Sequence, residues 1–423
     1  MHRWLLLVPM LVFPIAETPA QLVDSGVREL SKPEEQLIHL CQEMSAAFDK
    51  YYSGAAQLKD DVEREKYYAE HDPLATYVAR LTTFERDNHG AHAGLMAARR
   101  LVLLGAGGGE YGGPGDVGRQ HALKVLPDYA NADVLPEIIR YLDGGNVEPA
   151  SEPLLRTLIN ATDISDQNRQ YARLMLATWA LTMRDAREYQ ERRLAEIAEG
   201  FPLRYPKEKQ WLLASIAAAP SKERIFELRQ EALAILESLS KSNSPIRQPG
   251  IAGVDNNFCI IEVDPDKTKT MPLLSELASG LLFKEQRLRV GAESPELNLS
   301  LVSGGQWSLA EQRGKVVVLQ FSFKGCGPCE AMYQDLRELT AKYQGQISIV
   351  SIMADEMQAD TVDAVDSGKM SWNVHWDGPK GPIATKWAVQ SFPTVYVIGP
   401  NGRIVARNLR GEKLKSQIAK LTR

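Results

Sequence analysis

The sequence predicts a multidomain chain in which an N-terminal all-α, helical-repeat-like array precedes a C-terminal α/β domain. In the second part the expected layout is a mixed central sheet with helices on both faces. Three observations carry this. From about Glu34 to Ser240, apolar residues recur at three- and four-residue steps. From about Leu288 onward, short β-branched apolar runs alternate with amphipathic segments. Between them "KSNSPIRQPGIAGVDNN" is rich in Ser, Pro, Gly and Asn, the composition of a boundary. At 423 residues the chain also exceeds what one ordinary core organises.

The first twenty residues, "MHRWLLLVPMLVFPIAETPA", read as a signal peptide. Arg3 precedes an apolar run from Trp4 to Ala16, and Thr18 and Ala20 provide small residues for cleavage after Ala20. The run is shorter than the roughly 20 residues of a membrane span, and Pro9 and Pro14 interrupt it. A membrane-anchored form is therefore the weaker expectation, and no cysteine follows for lipid attachment. The expected location is the periplasm, where cysteines can be oxidised.

Residues 21–240 form the expected helical domain. "SEPLLRTLIN" offers Ser151 as N-cap and Pro153 in the first turn, with Leu154, Leu155 and Leu158 on one face. The next helix has Ser165 or Asp166 as cap and carries Leu174, Trp179 and Leu181. "PSKERIFELRQEALAILESL" places Ile225, Leu228, Ala232, Ile235 and Leu239 along one stripe. Such stripes require neighbours, so an antiparallel array follows, although no repeat period is visible. Gly107-Gly108-Gly109-Glu110-Tyr111-Gly112 matches G-x-G-x-x-G, but more glycine and Pro114 follow instead of a helix start. A loop between helices is the better reading than a nucleotide cradle. His89 and His92, with Glu85 and Asp87 nearby, raise a metal site. No third ligand is fixed by spacing, so a solvated cluster at a helix start is expected instead.

A formal net charge of −5, with Lys and Arg scattered, offers no basic stripe for nucleic acid. Charged residues at 24% and hydrophobic residues at 44% are ordinary for globular chains. No cofactor is implied.

Residues 241–287 read as a linker containing one short helix, "PLLSELASGLLF". The domain from 288 to 423 follows. "VVVLQFSF", "ISIVSIMAD" and "TVYVIG" are buried central strands, Asn401-Gly402 is a hairpin turn, and "GEKLKSQIAKLTR" is a closing amphipathic helix.

Of four cysteines, Cys326 and Cys329 stand two residues apart in "FSFKGCGPCEAMY". A zinc site requires four ligands, and no second pair lies within reach in the sequence. A purely structural bond across so short a loop constrains the unfolded chain little. The redox reading is favoured. Cys326 follows a strand and opens a helix, where unpaired N–H groups favour thiolate, so it is placed as nucleophile. Cys329, one turn on, is placed to resolve the mixed disulfide. Cys41 and Cys259 either pair with each other or pack separately as buried thiols. Pro393 opens the strand "TVYVIG", a position proline occupies only at an edge, an entry point or a cis turn.

These residues together resemble the TlpA/ResA branch of the thioredoxin-like thiol-disulfide oxidoreductases. The matching pieces are "LNLSLVSGGQWSL", "GKVVVLQFSFKGCGPC" and "WDGPKGPIATKWAVQSFPTVYVIGPNGRIV". The helical prefix matches only loosely. The resemblance implies a thioredoxin-like domain at 288–423, a redox-active disulfide Cys326-Cys329, and a cis Pro393 whose preceding residue, Phe392, pairs with substrate backbone. It implies protein thiols and disulfides as substrates, and Gly327-Pro328 is the dipeptide associated with reducing members.

The departures from the pattern are specific. Gly325 stands where a Trp shelf is usual, and Trp372 or Trp376 would replace that surface. The usual buried Asp and its Lys map to Gln320 and Ser351, so both charges are lost together. Glu330 is then either the proton acceptor for Cys329 or simple dipole compensation. Gln334 follows Tyr333 where a kinking proline is usual.

The function expected is an exported reductase or isomerase of protein disulfides, re-reduced by a membrane-linked donor, with a protein partner on the helical domain. Two alternatives are a helical scaffold carrying a weakly active or structural redoxin module, and a thiol peroxidase.

Overall fold

A computed structural model of the chain describes residues 29–106, 113–143, 150–200, 203, 208–255, 258–379, 381–389 and 391–422. Residues 1–20, read above as a signal peptide, and the glycine-rich stretch 107–112 lie outside the described residues. The chain divides into two units. One runs to Ile235 and includes Ser244–Leu274, and the other comprises Leu236–Asn243 and the residues from Ser275 onward.

The first unit is built of helices because its apolar residues keep helical spacing and its helix starts are capped. Helix Lys32–Gln57 begins after Ser31, whose N–H donates to the Glu34 carboxylate at 2.8 Å. Asp60 caps helix Asp61–His71, its carboxylate accepting from the N–H groups of Val62 and Glu63. Helices Leu74–Asp87, His92–Ala106 and Pro114–Val125 follow, and Leu81, Leu95, Met96 and Leu101 are fully buried. In the 33-residue helix Asp166–Ala198 the cap is Ser165, which accepts from Asn168 N–H, and Trp179 is buried. Ser151 is not a cap. It is the first residue inside helix Ser151–Asn160, with Ala150 at the cap position. In helix Lys222–Ser240 the buried stripe passes through Leu236 rather than Ile235, the drift expected where a 3.6-residue turn meets a mixed three- and four-residue spacing.

The histidine cluster is solvated only in part: His89 is exposed as expected, but the carboxylates that hold His89 and His92 are buried. Glu85 is buried, with His89 Nδ1 at 2.6 Å and His121 Nε2 at 2.7 Å from its carboxylate, and the Tyr129 hydroxyl donating at 3.2 Å. His92 belongs to a different carboxylate, with Nδ1 2.8 Å from buried Glu34. Asp87 is exposed. Only the Glu85–His89 spacing is local; His121, Tyr129 and Glu34 come from other helices. Among the described residues no group of three or more His, Cys, Asp or Glu side chains is placed to hold a metal ion. No described helix is long and apolar enough to cross a membrane.

The stretch read as a linker, 241–287, is divided between the units. Strands β1 (Ile251–Gly253) and β2 (Ile261–Val263) pair antiparallel within the first unit. Helix Pro265–Thr270 follows, capped by Asp264. Strands of three residues are too short to show a period, so the segment reads as irregular. Cys41, on helix Lys32–Gln57, and Cys259, just before β2, are both buried free thiols.

Helix Leu274–Arg287 belongs to the second unit. It approaches its neighbour closely at Gly280, where a Cβ would lie 2.6 Å from the Thr385 carbonyl oxygen. Strands β3 (Asn298–Ser300) and β4 (Gln306–Ser308) form a hairpin. The central sheet holds β5 (Val316–Ser322), β6 (Ile347–Met353), β7 (Asn373–Trp376), β8 (Thr394–Ile398) and β9 (Ile404–Arg407), in the order β7-β6-β5-β8-β9. β5 runs parallel to β6 and antiparallel to β8, so the sheet is mixed as expected. The β8–β9 turn carries Gly402 at φ +77°.

Alternation sorts the strands onto two faces. Val316, Val318, Ile349, Val395 and Val397 pack with Met332, Leu336, Leu339, Leu414 and Ile418 from the helices on one side. Val317, Leu319, Phe321, Val350, Ile352 and Tyr396 pack with Leu288, Ala384 and Trp387 on the other.

Glu85 gives the first prediction. Burial raises its pKa, but hydrogen bonds from His89, His121 and Tyr129 win and hold it below the usual range. The bond to Glu85 raises the pKa of His89. The Glu85 contribution is therefore complete above the ordinary glutamate pKa and lost as pH falls through its lowered folded value. That of His89 is complete below the ordinary imidazole pKa and lost as pH rises through its raised folded value. Glu85→Ala should cost about 3 kcal/mol in urea unfolding near neutral pH; a loss below about 1 kcal/mol would contradict the buried pairing.

Candidate active site

All seven residues of β5 are buried, so the chain can reach solvent only beyond Ser322. It does so at Phe323, Lys324 and Gly325, closed by a bond from Cys326 N–H to the Phe323 carbonyl at 3.3 Å. Gly325 has φ +82°, a conformation that side chains resist. That is a physical reason for the missing tryptophan: a residue with a Cβ would be strained there. Cys326 then caps a one-turn helix, Gly327–Glu330, its carbonyl accepting from the N–H groups of Cys329 and Glu330 at 2.9 and 3.0 Å.

Cys326 and Cys329 form a disulfide with a Cα–Cα separation of 5.2 Å. Cys326 retains 6% exposure and Cys329 none. Of the two sulfurs, Cys326 is therefore the one an incoming group can reach.

The helix expected to run unbroken from Gly327 is interrupted. It ends at Glu330 and resumes as Tyr333–Lys342, with Met332 N–H bonded back to Cys329 rather than to Pro328. The break is present without a proline. The field at Cys326 is that of its first turn, where the dipole effect is concentrated in any case.

Beneath this turn lies an uncharged chain of hydrogen bonds. Gln320 and Ser351 are register partners on β5 and β6, and both are fully buried. The Ser351 hydroxyl donates to Gln320 Oε1 at 2.9 Å, and the Trp372 indole N–H donates to Ser351 Oγ at 2.9 Å. At the other end the Gln320 amide faces Met332 Sδ at 3.9 Å. Gln320 and Ser351 thus share one site, as the sequence register predicts. Trp372 points into this chain and packs edge-on against Tyr333, so it supplies no shelf at the disulfide.

Further carboxylates hold the turn. The buried Asp355 carboxylate, at the end of β6, accepts from Lys324 N–H at 2.6 Å and from the Thr361 hydroxyl. Asp360 at 2.8 Å and then Asp363 hold the Lys324 ammonium and raise its pKa. Trp376 is half-buried and donates its indole N–H to the Asp355 carbonyl at 2.8 Å, which ties it to this support. The Glu330 carboxylate accepts from Gly325 N–H at 3.0 Å, a bond neither sequence reading of Glu330 included.

The Phe392-Pro393 peptide bond is cis. The ring of Phe392 meets that of Phe323 edge-to-face, with centroids 5.3 Å apart, which sets the Pro393 segment beside the cysteine turn. The Pro393 carbonyl accepts from Arg410 at 3.2 Å. Phe323 is 37% exposed, and with Phe392 it forms the apolar surface next to the disulfide. Sequence reasoning passed over Phe323 because its partner lies far along the chain; its one local sign is an aromatic placed where the strand ends. Asp355 was passed over for the same reason.

Residues 290–407 match the AhpC/TSA family. Among curated proteins, the thiol-disulfide oxidoreductase ResA of Bacillus thuringiensis subsp. konkukian is 28% identical over 143 residues, 34% of this chain and 82% of ResA. The thioredoxin-like protein YneN of Bacillus subtilis is 26% identical over 124 residues, 29% of this chain and 72% of YneN. Among solved structures, the thioredoxin domain of a thiol-disulfide oxidoreductase from Bacteroides vulgatus is 24% identical. It covers 32% of this chain and 99% of that one, with a TM-score of 0.30. The C-terminal part of the chain, around its cysteine turn and cis proline, is thus a thioredoxin-like domain whose residues 290–407 match the AhpC/TSA family.

Proposed function

We propose that the protein is an exported thiol-disulfide oxidoreductase that reduces or isomerises disulfides of protein clients through Cys326 and Cys329. The observation that carries this is the Cys326-Cys329 disulfide, of which only Cys326 retains any exposure, in a turn flanked by the cis Phe392-Pro393 segment. The similarity to ResA supports the same reaction class.

In the reduced protein the Cys326 thiolate attacks a client disulfide, forming a mixed disulfide and releasing one client thiolate. Cys329 then attacks Cys326 Sγ, releases the second client thiol and leaves the Cys326-Cys329 disulfide. Two electrons pass to the client, so each turnover requires a donor dithiol. A membrane-linked donor fits an exported reductase. Phe323 and Phe392 offer apolar surface to the client segment, and Phe392, Pro393 and Gly325 its backbone contacts; Trp376 acts through Asp355. The helical unit is proposed to hold a protein partner.

The proton of Cys329 finds no base in the Gln320–Ser351–Trp372 chain beneath it, because these groups do not titrate near neutrality. It leaves at the mouth, to water or to the departing client thiolate. Glu330 acts there as a positioning residue through Gly325 N–H.

Two outcomes are expected of the cysteine variants. With dithiothreitol as donor, Cys326→Ser should abolish reduction of a disulfide-bonded protein. Cys329→Ser should accumulate a client adduct that dithiothreitol releases. Turnover surviving Cys326→Ser would contradict the assignment, and unaltered function of the double serine variant in cells would favour the scaffold reading.

Glu330→Gln keeps an acceptor for Gly325 and should resolve the mixed disulfide within about twofold of wild type. Glu330→Ala should be about fivefold slower, the equivalent of one lost hydrogen bond of ~1 kcal/mol. Slow resolution in Glu330→Gln, with a proton retained on Cys329, would instead make the carboxylate the proton acceptor.

Phe323→Ala should raise KM for a protein client about fivefold, from ~1 kcal/mol of lost apolar contact, while reduction of a small aromatic disulfide is unchanged. Equal loss with both substrates would assign Phe323 to the turn's geometry instead.

A further inference from the structure

The first unit holds a second pair of sulfurs, outside the site just described. Cys41, on helix Lys32–Gln57, and Cys259, before β2, are more than two hundred residues apart in sequence. In the fold both are buried free thiols, and they are neighbours close enough that each acts on the ionisation of the other. Arg100, on helix His92–Ala106, lies beside both: its Nη2 donates to Cys259 Sγ at 3.3 Å, and its charge acts on Cys41 as well. The turn that presents Cys259 is fixed from several directions. Arg99 donates to the Phe258 carbonyl at 2.9 Å, and Asp255 accepts from Ile260 N–H at 2.8 Å. Val254 N–H donates to the Ile260 carbonyl at 2.9 Å.

Two thiols in contact beside a guanidinium are more than two small apolar residues filling a core. The cation favours thiolate on one sulfur, and the neighbour remains close enough to displace whatever adds to it. The two sulfurs are not equivalent. The hydrogen bond with Cys259 and the charge of Arg100 outweigh burial and lower the Cys41 pKa to about 7. The same hydrogen bond and burial raise that of Cys259. Access is the second constraint. Cys41 is 2% exposed and Cys259 fully buried, so a tripeptide disulfide cannot approach either sulfur, whereas a molecule the size of water has a far smaller barrier.

We propose that Cys41 and Cys259 are a second dithiol–disulfide couple, oxidised by hydrogen peroxide and acting as a redox latch that ties the β1–β2 hairpin to helix Lys32–Gln57. The Cys41 thiolate attacks one peroxide oxygen. The O–O bond breaks, giving sulfenic acid on Cys41 and hydroxide, which takes up the proton Cys41 gave up on ionising and leaves as water. Cys259 sulfur then attacks Cys41 Sγ, the S–S bond forms, the S–O bond breaks, and the Cys259 proton leaves with the second water. Two thiols and one peroxide become one disulfide and two waters, with two electrons passing to the peroxide. The step is independent of Cys326 and Cys329.

The test uses the full chain carrying Cys326→Ser and Cys329→Ser, reduced, desalted and treated with a few equivalents of hydrogen peroxide. Remaining thiols are alkylated after unfolding and peptides are mapped without reduction. The expected result is joint loss of both thiols, a mass lower by two hydrogens, and a Cys41 peptide linked to a Cys259 peptide. Glutathione disulfide at the same concentration should leave the folded protein's pair reduced at least tenfold longer. Because the double variant removes the other disulfide, the same linked peptides are sought in wild-type protein after identical treatment. Two alkylatable thiols after peroxide, or sulfinic acid on Cys41 without the link, would overturn the proposal. Equally fast oxidation by glutathione disulfide would overturn the assignment of peroxide as its oxidant.

Discussion

The second unit depends on the burial of β5 from both sides. Val316 and Val318 face one helical layer, while Val317, Leu319 and Phe321 face the other. Each such side chain contributes about 1.5–3 kcal/mol on leaving water, and a slip of one residue would exchange the two sets. The register of β5 between β6 and β8 is thereby fixed, and with it the point at which the chain leaves the sheet. That exit is the cysteine turn. Its position is a consequence of core packing, and the supports from Asp355, Glu330 and Phe392 refine it.

The same alternation decides where polarity enters the core. Gln320 falls on the face of Val316 and Val318, under the helix that begins at Cys326 and breaks near Met332. A lone carboxylate there would be costly unless a cation accompanied it. This chain carries neither, and Ser351 and Trp372 complete a neutral chain of donors and acceptors. The Gln320–Ser351–Trp372 chain beneath the disulfide therefore holds no titrating group, which is why proton exchange is proposed for the mouth of the site. The first unit makes the opposite choice. It buries Glu85 and Glu34 and holds them with histidines, His121 and His92 from other helices and His89 from nearby in the chain, and it packs Arg100 against the Cys259 thiol.

What was legible in the sequence follows from how local each signal is. The β5, β6 and β8 strands, the Asn401-Gly402 turn and the cysteine turn announce themselves within a few residues. The pairing of Gln320 with Ser351 could be read because parallel register follows from aligning two apolar runs. Phe323 against Phe392, Lys324 against Asp355, and Cys41 against Cys259 could not, since each partner is brought in by tertiary folding. The β1–β2 hairpin is invisible because three residues show no period. The break after Glu330 has no proline to mark it, and Ser151 lies one place inside the helix it was expected to cap.

The direction of electron flow is the centre of the account, and the reduction potential of the Cys326-Cys329 pair tests it most directly. It can be read by equilibration with glutathione buffers and alkylation trapping in protein carrying Cys41→Ser and Cys259→Ser, so that one couple is observed. A reductase of client disulfides should show a value of about −250 mV or lower, in the range of thioredoxin. A value between about −120 and −180 mV, the range of oxidases and isomerases, would contradict reduction as its task and reverse the flow of electrons.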